Sequence, residues 1–321
     1  MEQKRKWFFG NKDRPDAEAE DTTPTLSYFF KLLWRKAGKL LSLNLLVVLQ
    51  FIPLVVALLV FLLGPTTPTV ESPLYAPLMG ASMAGGSPAA NLMLGIFGQQ
   101  LDVPVLSTGR AVVIIVMLSL TALTWGWQNV GAGYNLRSLV RGDSCFLLSD
   151  YFYAIRRNLK QGFFFGILDF AFIALILFDI FFFYPLSTDF LYGFMYIIVL
   201  IIGILYVCMR FYIFPMMITF DLSIRKLLKN ALIFTMLGIK RNLVALLGIA
   251  AVLILNIVLI VGGLSIGFSV PIILPFFYLP ALLGFIGTYA AYPNIKRYMI
   301  DPYLEKNGTD ATLSTDAEEN A

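Results

Sequence analysis

Two ionisable side chains, Asp169 and Arg210, lie inside long apolar runs of the chain, where an unpaired charge is unfavourable. One interpretation is an ion or proton site, or the base of a substrate cavity. The other is a structural salt bridge that holds two helices together. The connection between the two runs, residues 185–189, is short. It predicts a helical hairpin in which the two charges can pair.

Three uncharged polar side chains, Asn44, Gln50 and Asn256, also interrupt apolar runs. In an apolar environment such side chains hydrogen-bond between helices, and we favour this interpretation over ligand binding. The predicted intramembrane polar site therefore consists of Asp169, Arg210, Asn44 and Asn256.

The sequence contains no recognisable catalytic or metal-binding motif. Histidine is absent, which removes the commonest acid–base group and metal ligand. The two isolated cysteines, Cys145 and Cys208, form neither a disulfide framework nor a zinc motif, and we expect both to be reduced. Gly262-Gly263 lacks the Lys and Ser/Thr of a phosphate-binding loop. We therefore expect a protein that is not an enzyme, with no metal and no cofactor.

The composition places these residues in a membrane. Hydrophobic residues make up 58% of the 321 residues and charged residues 14%, whereas a soluble domain has about 25% charged residues. A bilayer can absorb this apolar surface, because a helix needs roughly 20 apolar residues to cross it. The predicted fold is therefore all-α, a polytopic transmembrane helical bundle with six spans arranged as three hairpins.

Polar or turn-forming segments separate six apolar runs, which lie within a membrane domain at residues 26–300. The predicted spans are residues 40–63, 111–130, 162–184, 190–218, 243–261 and 271–292. Residues 64–110 form a long outer loop. The polar segments 1–25 and 301–321 are predicted to be disordered cytoplasmic tails.

The basic residues predict the orientation. All of the 24 Lys and Arg residues except Arg110 and Arg210 fall on one side of the six-span arrangement. The basic side is normally cytoplasmic, so we expect a multi-pass protein of the cell membrane with both termini in the cytoplasm. The segments 26–39, 131–161 and 219–242 are basic and amphipathic, which predicts interfacial helices. Their recurrence indicates either an internal repeat or the pattern of any membrane protein with basic inner loops.

The stretch Gly131 to Gln161 reads GAGYNLRSLVRGDSCFLLSDYFYAIRRNLKQ. It resembles the central signature of the YesL-like family, bacterial integral membrane proteins known as a domain of unknown function. The matching positions are Gly133, Arg137, Arg141, Asp150, Phe152, Arg157, Asn158, Lys160 and Gln161, followed by Phe214-Pro215-Met216, Asp221 and Lys229-Asn230. The resemblance covers roughly residues 27–300. Since such proteins are often encoded beside carbohydrate uptake transporters, the resemblance implies an association with sugar import.

These observations lead to two main hypotheses. The first is a non-enzymatic accessory or scaffold component linked to carbohydrate uptake. Its basic segments would contact lipid headgroups or dock membrane transporter subunits through Arg137, Arg141, Asp150, Arg157, Asn158, Lys160, Asp221, Lys229 and Asn230. The alternative is a small transporter or channel with a polar site around Asp169 and Arg210. The lipid bilayer is the expected partner, and the clustering of basic residues between apolar runs argues against nucleic acid.

Overall fold

The computed structural model describes residues 24–68, 75–85, 88–89, 91, 93–94, 102–143 and 145–302. The predicted tails therefore lie almost entirely outside the described residues, as does part of the outer loop. Contacts divide the chain into two units, residues 1–35 and 36–321. In the described part of the first unit, the Thr25 hydroxyl accepts a hydrogen bond of 3.2 Å from the Tyr28 backbone N–H and caps the first turn of helix α1.

The described residues are mostly helical. The helices are α1 (Leu26–Leu62), α2 (Tyr75–Met83), α3 (Thr108–Arg141), α4 (Leu147–Arg157), α5 (Leu159–Phe183), α6 (Phe190–Thr219), α7 (Ile224–Leu237), α8 (Ile239–Ser265) and α9 (Leu274–Ile295). A 3₁₀ turn, Val270–Ile272, precedes α9, and a π-helical turn, Lys296–Ile300, follows it. Two three-residue strands, β1 (Thr66–Pro68) and β2 (Asp102–Pro104), pair antiparallel at the base of the outer loop.

Six helical segments among the described residues are long and apolar enough to cross a bilayer. They are Leu26–Leu62, Thr108–Arg141, Leu159–Phe183, Phe190–Thr219, Ile239–Ser265 and Val270–Ile300. Much of their apolar surface is exposed, as expected of helices that face lipid. The predicted all-α bundle with six spans is confirmed, and the chain is a multi-pass membrane protein.

The first two expected spans differ most from the structure, whereas the ends of the others lie within four residues of their expected positions. Residues 26–39 do not form a separate helix, because no proline divides them from the first span, and α1 continues to Leu62. The second span was expected to end at Val130, but α3 continues to Arg141 and ends only at Gly142. Gly142 adopts φ 82°. Its N–H donates 3.2 Å to the Leu139 carbonyl and the Asp143 N–H donates 3.0 Å to the Ser138 carbonyl, which closes the helix.

Two short amphipathic helices, α4 and α7, precede the α5–α6 and α8–α9 pairs. Helix α4 buries Tyr151 and Ala154, and the Tyr151 ring packs against Gly131 of α3. Helix α7 buries Leu227, Ala231, Phe234 and Thr235. Leu227 and Ala231, four residues apart, therefore lie on the buried face of α7, as the helical spacing of its apolar residues predicts. The order of short helix, long helix, long helix occurs twice, whereas residues 26–39 belong to α1 itself, so the structure is compatible with both interpretations of the basic segments.

The main packed core lies where α3 ends and α5 begins, which we call the basic end. It includes Phe165 of α5, Tyr212 and Met216 of α6, and Leu227 of α7. Arg137 Nη1 donates 2.7 Å to Thr219 Oγ1, and Gln161 Nε2 donates 2.6 Å to the Leu222 carbonyl. The connections after α3 and after α6 therefore lie at the same end of the bundle.

Three glycines bring α3 and α5 together backbone to backbone. A Cβ added at Gly126 would collide with the Gly162 carbonyl oxygen and lie 2.6 Å from the Gly166 Cα. Gly162 and Gly166 are one turn apart on α5, which is the spacing that lets membrane helices approach closely. This spacing is visible in the sequence Gly-Phe-Phe-Phe-Gly, but our sequence analysis did not use it.

The glycine contact can be tested by adding one methyl group. We expect Gly166→Ala to lower the free energy of unfolding by about 1–3 kcal/mol, because the new Cβ meets backbone atoms of α3 that cannot move aside easily. Unfolding would be followed by circular dichroism during titration with sodium dodecyl sulfate. Gly262→Ala is the matched control, since a Cβ there meets nothing within 4 Å. Equal stability of the two variants would contradict the close packing.

Candidate functional site

Asp169 of α5 is fully buried and lies at the centre of a polar cluster. Its Oδ2 accepts a 2.7 Å hydrogen bond from Trp125 Nε1, and its Oδ1 accepts a 2.6 Å bond from the Tyr206 hydroxyl. Arg210 Nε lies 3.0 Å from Oδ1. The predicted pairing of Asp169 with Arg210 is therefore present. Both oxygens of the Asp169 carboxylate therefore accept hydrogen bonds, which favours the interpretation of Asp169 as part of a structural salt bridge.

Only part of the Arg210 guanidinium group contacts polar atoms of other residues. Its Nε–H faces Asp169 but is not aligned for a hydrogen bond, and its Nη2 donates 3.3 Å to Asn129 Oδ1. The guanidinium carbon lies 5.7 Å from the centre of the Trp125 ring and 5.6 Å from that of Phe214, so both rings add cation–π attraction. The side chain remains 26% exposed.

Helical periodicity explains why these residues meet. Trp125 and Asn129 are four residues apart on α3, and Tyr206 and Arg210 are four residues apart on α6, so each pair shares one helix face. Asp169 lies one turn beyond the glycine contact of α5, opposite Trp125. Trp125 lies within α3 and was not among the predicted site residues. The i, i+4 pairing of an aromatic donor with a polar residue is the signal that could have identified it.

A cavity of about 330 Å³ adjoins the ion pair. Residues of α1, α3, α6, α8 and α9 line it, and most of them are apolar. Its polar lining residues are Gln50, Asn129, Arg210 and Thr288. Asp169 and Arg210 were the residues expected at the base of a substrate cavity. Arg210 lines this cavity, whereas Asp169 does not. Its volume falls at the lower end of the range for small-molecule sites, roughly 300–1,000 Å³.

The three uncharged polar residues have different environments. Asn256 Oδ1 accepts a 2.7 Å bond from the Tyr278 hydroxyl, which joins α8 to α9 and confirms the interhelical interpretation. Asn44 likewise bridges helices. Gln50 is buried, but its Nε2 has no hydrogen-bond partner among the described residues. The expected interhelical bond from this amide nitrogen is therefore absent among the described residues.

Asn44 of α1 completes the hydrogen bonding of α9. Pro280 has no N–H, so the Phe276 carbonyl one turn earlier lacks its helical donor. The Asn44 Nδ2 donates to that carbonyl, and the Asn44 Oδ1 accepts a 2.8 Å bond from the Ala281 N–H. The role of Pro280 was not predicted from the sequence, because Asn44 lies more than 200 residues away in the chain.

Four of the predicted docking residues come together at the basic end. Arg157, Asn158, Lys160 and Asp221 line a groove of about 540 Å³, which we call the basic groove. Arg156 and Gln161 also line it. No ion pair joins Arg156, Arg157 or Lys160 to another residue in the described part of the chain, and all three side chains are exposed. The groove therefore presents three unpaired positive charges beside one carboxylate.

The other predicted docking residues lie outside the basic groove. Arg137 is held by Thr219 and by the Tyr134 ring, 4.8 Å from its guanidinium carbon. Arg141 pairs with Asp143 at 3.1 Å, and Asp150 accepts a 2.8 Å bond from the Phe146 N–H and caps α4. Lys229 and Asn230 lie on α7, where Lys229 is exposed and Asn230 is partly buried.

The two cysteines are both free and buried. Cys145 lies between α3 and α4, and its thiol donates 3.3 Å to Asn135 Oδ1. Burial, with a smaller contribution from the Asp150 carboxylate, raises the pKa of the Cys145 thiol to about 11. Within the residues that the structure describes, no group of three or more Cys, Asp or Glu side chains is placed to hold a metal ion.

No family model matches the chain, and neither a curated protein nor a solved structure matches it. The resemblance to the YesL-like family therefore stays a prediction.

Substitution of the ion pair separates a structural role from a charge requirement. We expect Asp169→Leu or Arg210→Met alone to reduce the free energy of unfolding by roughly 3–5 kcal/mol, because each leaves an uncompensated charge in the bundle. The double variant should recover part of this loss, since it leaves no unpaired charge, while Trp125 Nε1 and the Tyr206 hydroxyl still lose their acceptor. Chemical unfolding of all four proteins in the same detergent measures the coupling. Losses that simply add would contradict the pairing.

The thiol of Cys145 gives a prediction of pH dependence. The raised pKa keeps the thiol protonated at neutral pH, and only the thiolate reacts with iodoacetamide. In a Cys208→Ser protein, we expect the alkylation rate to rise about tenfold per pH unit from pH 8 to pH 10 without levelling off. The same protein unfolded in detergent should level off above its ordinary pKa, about 8.5. A native plateau near pH 9 would contradict the shift.

Proposed function

We propose that this chain is a non-enzymatic accessory or scaffold protein of the cell membrane, oriented with both termini in the cytoplasm. The observation that carries the proposal is the basic groove. It joins residues 156–161, from the first stretch of the family resemblance, to residues 217–221. The hydrogen bond from Gln161 to the Leu222 carbonyl fixes the two segments against each other, so the groove is a preformed surface.

The groove is suited to an acidic partner segment. Arg156, Arg157 and Lys160 carry three positive charges against the single negative charge of Asp221. Complementary charge steers association and fixes register more than it adds affinity. Leu159 lines the same groove and is exposed, so an apolar contact is available beside the charges. We propose that the partner is an acidic cytoplasmic segment of a membrane transporter subunit.

The link to carbohydrate uptake rests on the resemblance to the YesL-like family. The intramembrane cavity supports an accessory role rather than direct sugar transport. A sugar presents hydroxyl groups around its ring, and each one needs a polar partner when it is removed from water. Among the described residues only four polar side chains line the cavity, apart from Trp125, whose Nε1 is bonded to Asp169, and Asn129 already bonds Arg210 through its side-chain oxygen.

A small transporter or channel around Asp169 and Arg210 remains the second candidate. The observation that favours it is the position of Arg210 in the cavity wall. Asp169 supports it less, because a carboxylate that carries an ion or a proton needs an approach, and this one is fully buried beneath three donors. We therefore favour the scaffold role over the transporter role.

The docking proposal can be tested by cross-linking in native membranes. The affinity-tagged full chain would carry a photoreactive amino acid at Leu159, and cross-linked products would be identified by mass spectrometry. We expect transporter subunits to be recovered with the wild-type groove and at least fivefold less with Arg156→Gln, Arg157→Gln and Lys160→Gln combined. This loss is expected because, in the wild-type protein, these three positive charges attract the acidic segment.

The matched control removes three exposed positive charges outside the groove, with Arg225→Gln, Lys226→Gln and Lys240→Gln. It should cross-link as the wild type does. Equal recovery with both triple variants would refute the role of the groove. Cross-links to lipid alone, with no transporter subunit, would refute the scaffold role.

A further inference from the structure

The cavity beside the ion pair has the form of a ligand site with one polar end. Its volume, about 330 Å³, is the space that about eleven water molecules fill in the liquid. The wall is apolar apart from Gln50, Asn129, Arg210 and Thr288. A molecule that fills this space must therefore be largely apolar and carry a single polar group.

Two hydrogen-bond donors at the cavity wall lack acceptors. Gln50 lines the cavity, and its buried Nε2 has no partner among the described residues. Arg210 uses Nε to face Asp169 and Nη2 to reach Asn129, whereas no residue in the described part of the chain accepts a bond from Nη1. Both groups donate and neither can accept through these atoms. The missing partner is therefore an acceptor.

The buried amide of Gln50 is not explained by packing. A leucine at this position would fill a similar volume without leaving a donor unpaired, and an unpaired buried donor is unfavourable. The part of Arg210 that faces away from Asp169 is likewise not needed for the ion pair. Both features are accounted for if an acceptor from outside the chain enters the cavity.

We propose that the cavity binds a medium-chain fatty carboxylate. The acyl chain lies against the apolar lining, which includes Phe51 and Phe211, and the carboxylate accepts bonds from Gln50 Nε2 and Arg210 Nη1. A cation is disfavoured by Arg210, and a neutral ester offers acceptors without the charge that strengthens a bond to guanidinium. This inference is independent of the docking role proposed for the basic groove.

Quenching of Trp125, which lines the cavity, provides a direct readout. The full chain, with its other three tryptophans replaced by Phe, would be titrated in non-ionic detergent with 10-bromodecanoate, because bromine quenches indole fluorescence on contact. We expect saturable quenching. The Gln50→Leu variant should raise the Kd at least tenfold, and it should fold normally because it removes an unpaired buried donor. Thr124→Val, on α3 outside the cavity lining, is the control and should leave the Kd unchanged.

Two further measurements separate recognition of the carboxylate from simple partitioning. The methyl ester of 10-bromodecanoate should bind at least tenfold more weakly than the acid. The double variant Asp169→Asn, Arg210→Gln removes both charges together and should also bind the acid at least tenfold more weakly, with folding verified by circular dichroism. Quenching that rises without saturation, a Gln50→Leu protein that binds as the wild type does, or equal binding of ester and acid would each overturn the proposal.

Discussion

The backbones of α3 and α5 touch at Gly126, Gly162 and Gly166, and the polar centre of the bundle depends on this contact. Lipid supplies no hydrophobic driving force between helices, so close van der Waals packing has to hold them together. One turn beyond the contact, Trp125 and Asp169 are near enough for a 2.7 Å hydrogen bond. A side chain at Gly126 or Gly166 would collide with the opposite backbone, separate the helices and break that bond.

The glycine contact positions the Asp169 carboxylate, and this carboxylate requires specific partners on the neighbouring helices. In a medium of low dielectric constant an ionised group needs both a counter-charge and hydrogen-bond donors. Asp169 obtains them from three side chains on two different helices, Trp125 of α3 and Tyr206 and Arg210 of α6. The cluster therefore joins α3, α5 and α6 into one unit. The part of Arg210 that this cluster leaves unused faces a neighbouring cavity, so a structural ion pair and a binding surface share one guanidinium group.

Long apolar runs made the six spans predictable, because length and hydropathy alone decide whether a helix can cross a bilayer. The pairing of Asp169 with Arg210 was also predictable, since a short connection forces α5 and α6 into a hairpin. The hydrogen-bond partners of Asn44 were not predictable, nor was the lack of a partner for the Gln50 amide nitrogen among the described residues. Both depend on how distant helices are rotated and placed against each other. The end of α3 was missed for a different reason. Apolarity marks the membrane boundary, whereas a helix continues until a residue such as Gly142 closes it.

The bonds between Asn44 and the Pro280 region of α9 have a consequence for motion. The Asn44 side chain replaces a missing backbone donor and also accepts from the next free N–H, so sliding or rotation of α1 against α9 would leave two main-chain groups unbonded in an apolar medium. Asn44 therefore holds the first and last spans in one register beside the cavity, which Leu43 and Val47 of α1 and Ala281 of α9 line. A molecule bound there would contact two helices whose relative position is fixed by hydrogen bonds as well as by packing.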